Sequence, residues 1–186
     1  QHPEQAQALQ QWLQQQNEVQ QVLPGWEMQI RQQGWPTELA AVIDAPLYRQ
    51  HWPLLEQAAG NPWDQLFSGD NLMLSEQLAR RLNMGIGARL TLPAAQGQWN
   101  PTVVGIYADY GNPKGHILVS AEQFQRHWPG TPPARFALRM AEADTASLKN
   151  KVQQAFGLDD SHVVEQQQLK RWASQVFERT FSATAA

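Results

Sequence analysis

The 186-residue chain has no cysteine, which excludes disulfide scaffolds, thiolate metal centres and cysteine nucleophiles. Basic charge is scarce too: 14 Lys and Arg stand against 17 Asp and Glu, for a formal net charge of −3 and a pI near 5.9. That balance leaves no electrostatic footprint for nucleic acid and none for a polybasic contact with a membrane surface. No apolar run approaches the roughly 18 residues that a spanning helix needs, and no signal-peptide core is present. Gly-x-x-x-x-Gly-Lys-Ser/Thr and Gly-x-Ser-x-Gly are both missing, so neither a phosphate-cradling loop nor a serine nucleophile elbow is expected. The five histidines, at 2, 51, 116, 127 and 162, include no His-x-His or His-Glu-x-x-His spacing. No catalytic residue, cofactor-binding residue or metal ligand is therefore assigned.

What the chain does have is Gln, Trp and clear periodicity. Gln is densest between Gln1 and Gln33, where Leu9, Trp12, Leu13 and Val19 recur helically, and a solvated amphipathic helix from Glu4 to about Gln21 is expected, ended by Pro24-Gly25. Trp26 to Gln33 alternates as a half-buried strand with Gly34 as the break, and Leu39 to Ile43 is continuously apolar, as a central strand should be. Between Pro46 and Gly69 short helices are expected, over Pro53–Ala59 and Trp63–Phe67. Eight tryptophans read first as core packing and secondly as the lining of an apolar cargo surface.

Residues 71–92 are the most legible stretch. Leu72 to Leu74 is an apolar run, Ser75 is a helix N-cap, Leu78, Ala79 and Leu82 share one helix face, and Gly85 and Gly87 stop the helix before Leu90 and Leu92. Pro93 to Gln98 forms a hairpin connection near Gly97, Trp99 to Tyr107 is β-rich, and Ile117 to Val119 is a short strand. Ser120-x-x-Gln123 has the form of a capping box opening a helix to about Trp128. Pro129 to Pro133 is a boundary; beyond it come a strand at Arg135–Met140, a helix from Asp144 to Gly157, a strand at His162–Val164 and a helix at Glu165–Thr180. The chain ends, Gln1 and Phe181 to Ala186, read as cut from a longer protein.

The candidate functional loop is Asp109-Tyr110-Gly111-Asn112-Pro113-Lys114-Gly115, which clusters a carboxylate, a phenol, an amide and an ammonium on a turn. Asp109, Tyr110, Asn112 and Lys114 are its contact candidates.

The pattern Ser75-Glu76-x-x-Ala79-x-x-Leu82-x-x-Gly85-x-Gly87-x-x-Leu90-x-Leu92 resembles the extracytoplasmic core domain of ABC-transporter permeases of the FtsX/MacB/LolC type. The stretch from Tyr107 to Gly115 resembles a loop in the AttF/AttG-like branch, and residues 176–186 look like an approach to a transmembrane helix. The resemblance implies an α+β, MacB-like periplasmic domain. Its α/β platform, with membrane-proximal stalk helices, would come from residues 1–45 and 132–186, and a β-rich subdomain would be inserted as 46–131. It further implies a non-catalytic part of a permease on the periplasmic side of the bacterial inner membrane. The partners it implies are the permease's own transmembrane helices and, through them, a separate ABC ATPase. The cargo would be hydrophobic, lipid, lipoprotein or peptide, and no docking hook of the lipoprotein-release members is recognisable. A stand-alone periplasmic module that binds an apolar ligand is the alternative, and an unrecognised hydrolase is a third reading.

Overall fold

A computed structural model describes residues 3–156, and the strand expected at 162–164, the helix at 165–180 and the stalk they would complete lie outside them. In chain order the elements are α1 (Pro3–Gln14), β1 (Val19–Gln32), β2 (Trp35–Val42), α2 (Pro46–His51), β3 (Leu54–Gln57), α3 (Pro62–Ser68), β4 (Asn71–Ser75) and α4 (Glu76–Leu82). There follow β5 (Leu92–Pro93), β6 (Gln98–Trp99), β7 (Thr102–Tyr107), β8 (Gly115–Ser120), α5 (Ala121–His127), β9 (Arg135–Met140), a 3-10 turn at Glu142–Asp144 and α6 (Thr145–Phe156). The mixed α+β class read from the sequence holds.

Seven strands form one sheet in the order β3-β7-β4-β8-β2-β1-β9, and β5 and β6 make a separate hairpin. The β1–β2 hairpin turns on Gln33 and Gly34 at φ 50° and 80°; two positive angles in succession define the tight turn that matches strand twist. β2 pairs parallel with β8, β8 antiparallel with β4, β4 parallel with β7, and β7 antiparallel with β3. Alternation sorts the side chains: Leu39, Ala41, Leu72, Leu74, Ile117 and Val119 join one core with Leu78 and Leu82 of α4 and Phe124 of α5. Residues of opposite parity, Ala40, Val42, Met73 and Leu118, are also fully buried, so the central strands are covered on both faces, which is why they read as continuous apolar runs.

The chain divides into two compact units, residues 1–24 with 132–186 and residues 25–131. This moves the expected boundary at residue 45: residues 25–45 belong with the middle segment, because Thr37–Val42 is hydrogen-bonded along its length to Gly115–Ser120. Nor do residues 46–131 build a sheet of their own, since β4 and β7 enter the same sheet as β2. In the first unit Leu13, Leu138, Met140, Leu148 and Val152 form the core, and Trp12 meets Phe156 edge-on at 5.6 Å.

Three local expectations change. The first helix stops at Gln14 and Val19 already begins a strand that runs through Pro24-Gly25, whose pairing with β2 starts only after the proline, at Gly25. Leu54–Gln57, expected within a helix, is a strand on β7. The α4 helix ends on Asn83 in the left-handed conformation, φ 54°, before either Gly85 or Gly87 is reached. Gly115 is required by close approach: a Cβ there would sit 2.8 Å from Leu78 Cδ1 and 2.9 Å from Thr37 Oγ1.

Candidate functional site

β7 and β8 are joined by residues 108–114, and the loop divides the four candidates into two kinds. Asp109 is buried, and its Oδ2 accepts a 2.8 Å hydrogen bond from Asn112 Nδ2. Asn112 Oδ1 accepts from the Lys114 backbone N–H at 3.0 Å, and Gly111 takes φ 82°. These bonds fix the loop's shape, so Asp109 and Asn112 are scaffold, while Tyr110, at 77% exposure, and Lys114 face solvent.

Beneath the loop lies a buried polar cluster that the sequence pattern did not single out. The Tyr107 hydroxyl meets His116 Nδ1, Glu38 Oε2 lies 3.1 Å from His116 Nε2, and Gln29 Nε2 donates to Glu38 Oε1 at 3.4 Å. The Nε2 contact is an electrostatic approach that lacks hydrogen-bond alignment. Ser75 Oγ does two jobs, accepting from Leu78 N–H as the α4 cap and from the His116 backbone N–H, so it ties the end of β4 to the start of β8. Burial, then the charges of Asp109 and Glu38, push Tyr107 well above its ordinary range. The phenol therefore keeps its proton and remains a hydrogen-bonding partner of Nδ1. The sequence signal was a glutamate and a histidine abutting the two most apolar strands, where a buried polar group is the informative exception.

Asp109 is raised above the usual carboxylate range, chiefly by burial and also by Glu38, against the opposing pull of His116 and of the Asn112 hydrogen bond. The sign follows: the folded state binds the proton more readily than the unfolded chain, so Asp109 costs stability above its folded value, and the cost fades as the pH falls toward its unfolded value. Asp109→Asn retains an acceptor for Asn112 and cannot ionise. It is expected to unfold at higher urea than the parent at about pH 7, with the gap closing by about pH 3. A variant less stable than the parent at neutral pH would contradict this assignment.

The same corner holds an aromatic cluster: Trp52 meets Tyr107, Tyr48 and Trp63 edge-on at 5.2, 6.4 and 6.4 Å, and Trp63 stacks on Phe67 at 6.2 Å. Asn61 caps α3 by accepting from Trp63 and Asp64 N–H. Arg49 bridges α2 to α3, with Nε and Nη1 each 2.7 Å from Asp44 and Asp64. An open groove of about 450 Å³ is lined by Arg49, Trp52, Leu54, Gln57, Asn61 and Trp63 among others. Trp26, Trp52, Trp63, Trp99 and Trp128 are all buried, so packing, the first reading of the tryptophans, describes these five. His127 also packs, stacked on Trp99 at 4.6 Å. Among the described residues no group of three or more His, Asp or Glu is placed to hold a metal ion, and no helix is long and apolar enough to cross a membrane.

No family model and no curated protein matches the sequence. Solved structures do match in fold. The extracellular domain of the noncanonic ABC-type transporter YknZ from Gram-positive bacteria is similar with a TM-score of 0.53 at 11% identity, over 81% of this chain and 83% of that one. The periplasmic region of MacB from Actinobacillus actinomycetemcomitans is similar with a TM-score of 0.51 at 12% identity, over 82% and 75% of the two chains. The chain thus has the MacB-like fold of extracytoplasmic domains of ABC-type transporters, as the Ser75–Leu92 pattern implied.

Proposed function

We propose that the chain is the extracytoplasmic domain of an ABC-transporter permease on the periplasmic side of a bacterial inner membrane. In this reading a separate ATPase moves the permease's transmembrane helices, and the domain passes that movement to a hydrophobic, lipid, lipoprotein or peptide cargo or to a partner protein. The observation that supports it is the shared fold, which spans about four-fifths of this chain in both likenesses. The domain acts mechanically and does no chemistry of its own: the groups that resemble a relay, Glu38, His116 and Tyr107, are 3%, 3% and 2% exposed, out of a substrate's reach. Tyr110 and Lys114 make the contact, presented by the Asp109–Asn112 scaffold. A stand-alone sensor for an apolar ligand finds less support, because five tryptophans that would line its surface are buried.

Reading the gene on either side of this chain tests the proposal, with an apolar run of about 20 residues expected on each flank. A second arm uses the full permease with its ATPase. Tyr110→Ala with Lys114→Ala should uncouple ATP hydrolysis from transport and leave the domain's melting temperature unchanged. Polar flanks on both sides would refute the reading.

A further inference from the structure

Among the described residues, Arg49, Arg80, Arg126 and Lys151 are all taken up in ion pairs. Arg31, Arg81 and Arg89 are exposed, and none of the three meets a carboxylate among the described residues. Their surroundings in the chain hold little acid: residues 77–102 contain Arg80, Arg81 and Arg89 with no Asp or Glu, and residues 28–37 contain Arg31 with none. Glu76, the one acidic residue of α4, is already paired with Arg80. In a chain of net charge −3 this is the local exception.

The β1–β2 hairpin holds two of these guanidiniums at its tip. Arg31 Nη1 donates to Gly34 O at 2.9 Å, which brings its side chain to the turn. Arg81, in the last turn of α4, lies with Cζ 3.7 Å from the centroid of the Trp35 ring, a cation–π contact. Register opposes Gln32 to Trp35 and Arg31 to Pro36, and opposed residues share a face. Trp35 with Arg81 therefore occupies one face of the hairpin, and Arg31 reaches the turn from the other. On the Trp35 face Gln32 Nε2 donates to Thr91 O at 3.1 Å, so the tip is fixed to the segment that enters β5 as well as to α4.

Each restraint spares the edge of the guanidinium that recognises anions. Stacking occupies the plane of Arg81 and leaves its in-plane N–H groups for a planar carboxylate, and the Gly34 bond uses one nitrogen of Arg31 and leaves the rest. A side chain held before binding loses less freedom when it binds. The surroundings also choose the occupant. Contact with a membrane surface relies on clusters of about 4–8 basic residues or on apolar side chains that insert. Here two guanidiniums flank the tip, and Trp35, with Met84 and Ile86 just beyond α4, is partly buried and packed against the core. A protein segment that crosses the tip can present one carboxylate to each guanidinium.

We propose that the tip of the β1–β2 hairpin docks an acidic segment of a partner protein, with one carboxylate forked by Arg81 on the Trp35 ring and another held by Arg31 at Gly34. Trp35 is a positioning residue that holds Arg81 in place. The proposal goes beyond the transporter reading and does not depend on it.

The whole chain is titrated at low ionic strength with a blocked, labelled heptapeptide alternating Glu and Ser, and binding is read by anisotropy. Saturable binding that weakens with salt is expected, with a Lys/Ser peptide at least about tenfold weaker. Arg31→Gln and Arg81→Gln should each weaken the Glu/Ser peptide about threefold or more, and the two together about tenfold or more. Arg81→Lys and Trp35→Leu keep the net charge, yet each should also cost about threefold, a loss that charge alone would not produce. Arg126→Gln, which removes an exposed guanidinium of α5 already paired with Glu122, should leave the affinity unchanged. Circular dichroism verifies the fold of each variant. No saturable binding, equal affinity for both peptides, or a loss at Arg126→Gln as large as at Arg81→Gln would overturn the proposal. So would binding to vesicles of phosphatidylcholine and phosphatidylglycerol that Arg31→Gln and Arg81→Gln remove while the Glu/Ser peptide fails to bind, which would make the tip a lipid-facing surface. Polar flanks in the gene would leave this result untouched, so the two readings fail separately.

Discussion

His116→Leu is expected to destabilise the domain by about 2–5 kcal/mol, because it takes a partner from two buried polar groups, at about 1–3 kcal/mol each and more for a charged one. The Glu38 and His116 side chains are each 4% exposed, so water cannot replace what is lost. The leucine removes the Nε2 contact from the Glu38 carboxylate and the Nδ1 partner from the Tyr107 hydroxyl, while Gln29 Nε2 still donates to Glu38 at 3.4 Å. The damage should be dominated by the carboxylate, the costlier of the two groups to keep buried with fewer partners. Adding Glu38→Gln to His116→Leu should therefore recover at least about 1 kcal/mol, although Glu38→Gln alone is neutral to destabilising. Urea unfolding of the four proteins closes the cycle. Additive losses would show that the carboxylate and imidazole do not act as a unit.

Trp52→Ala should cost about 3–5 kcal/mol, as large aromatic truncations in cores do. Trp52 is 7% exposed and its ring touches Tyr48 of α2, Trp63 of α3 and Tyr107 of β7, so one side chain fastens two short helices to the sheet. Helices of six and seven residues are too short to be stable alone and hold their place by such packing. Collapse of the site is limited by the surrounding rings, which favours the upper part of the range. Trp52→Phe keeps a ring and should lose less than half as much. Denaturant midpoints at unchanged m-value are the measurement, and a loss below about 1 kcal/mol would mean that Arg49, Asp44 and Asp64, not the ring cluster, hold α2 and α3.

Local chemistry was legible where the decisive residues are neighbours in sequence. Ser75 and Ser120 cap α4 and α5 as read, because each hydroxyl meets a backbone N–H three residues on. The reciprocal half of the box at Ser120 does not form, since Gln123 Oε1 is buried without a hydrogen bond. The loop 109–115 was visible as turn chemistry, but the sequence could not say that Asp109 turns inward while Tyr110 turns out.

By itself, then, the sequence determined the α+β class, the strand and helix of residues 71–82, the central position of β2 and the absence of disulfide and thiolate chemistry. These depend on periodicity, caps and composition, which act over a few residues. Tertiary structure alone decided that Leu54–Gln57 is a strand, that residues 25–45 belong with the middle segment, and that Glu38 meets His116 across 78 positions. Each of these rests on pairing between distant segments: β7 supplies the hydrogen bonds that make β3 extended, and the parallel register of β2 on β8 sets Glu38 beside His116. A strand's partner, unlike a helix's, lies outside its own stretch of chain, so neither the edge nor the buried cluster could be read before the sheet was assembled.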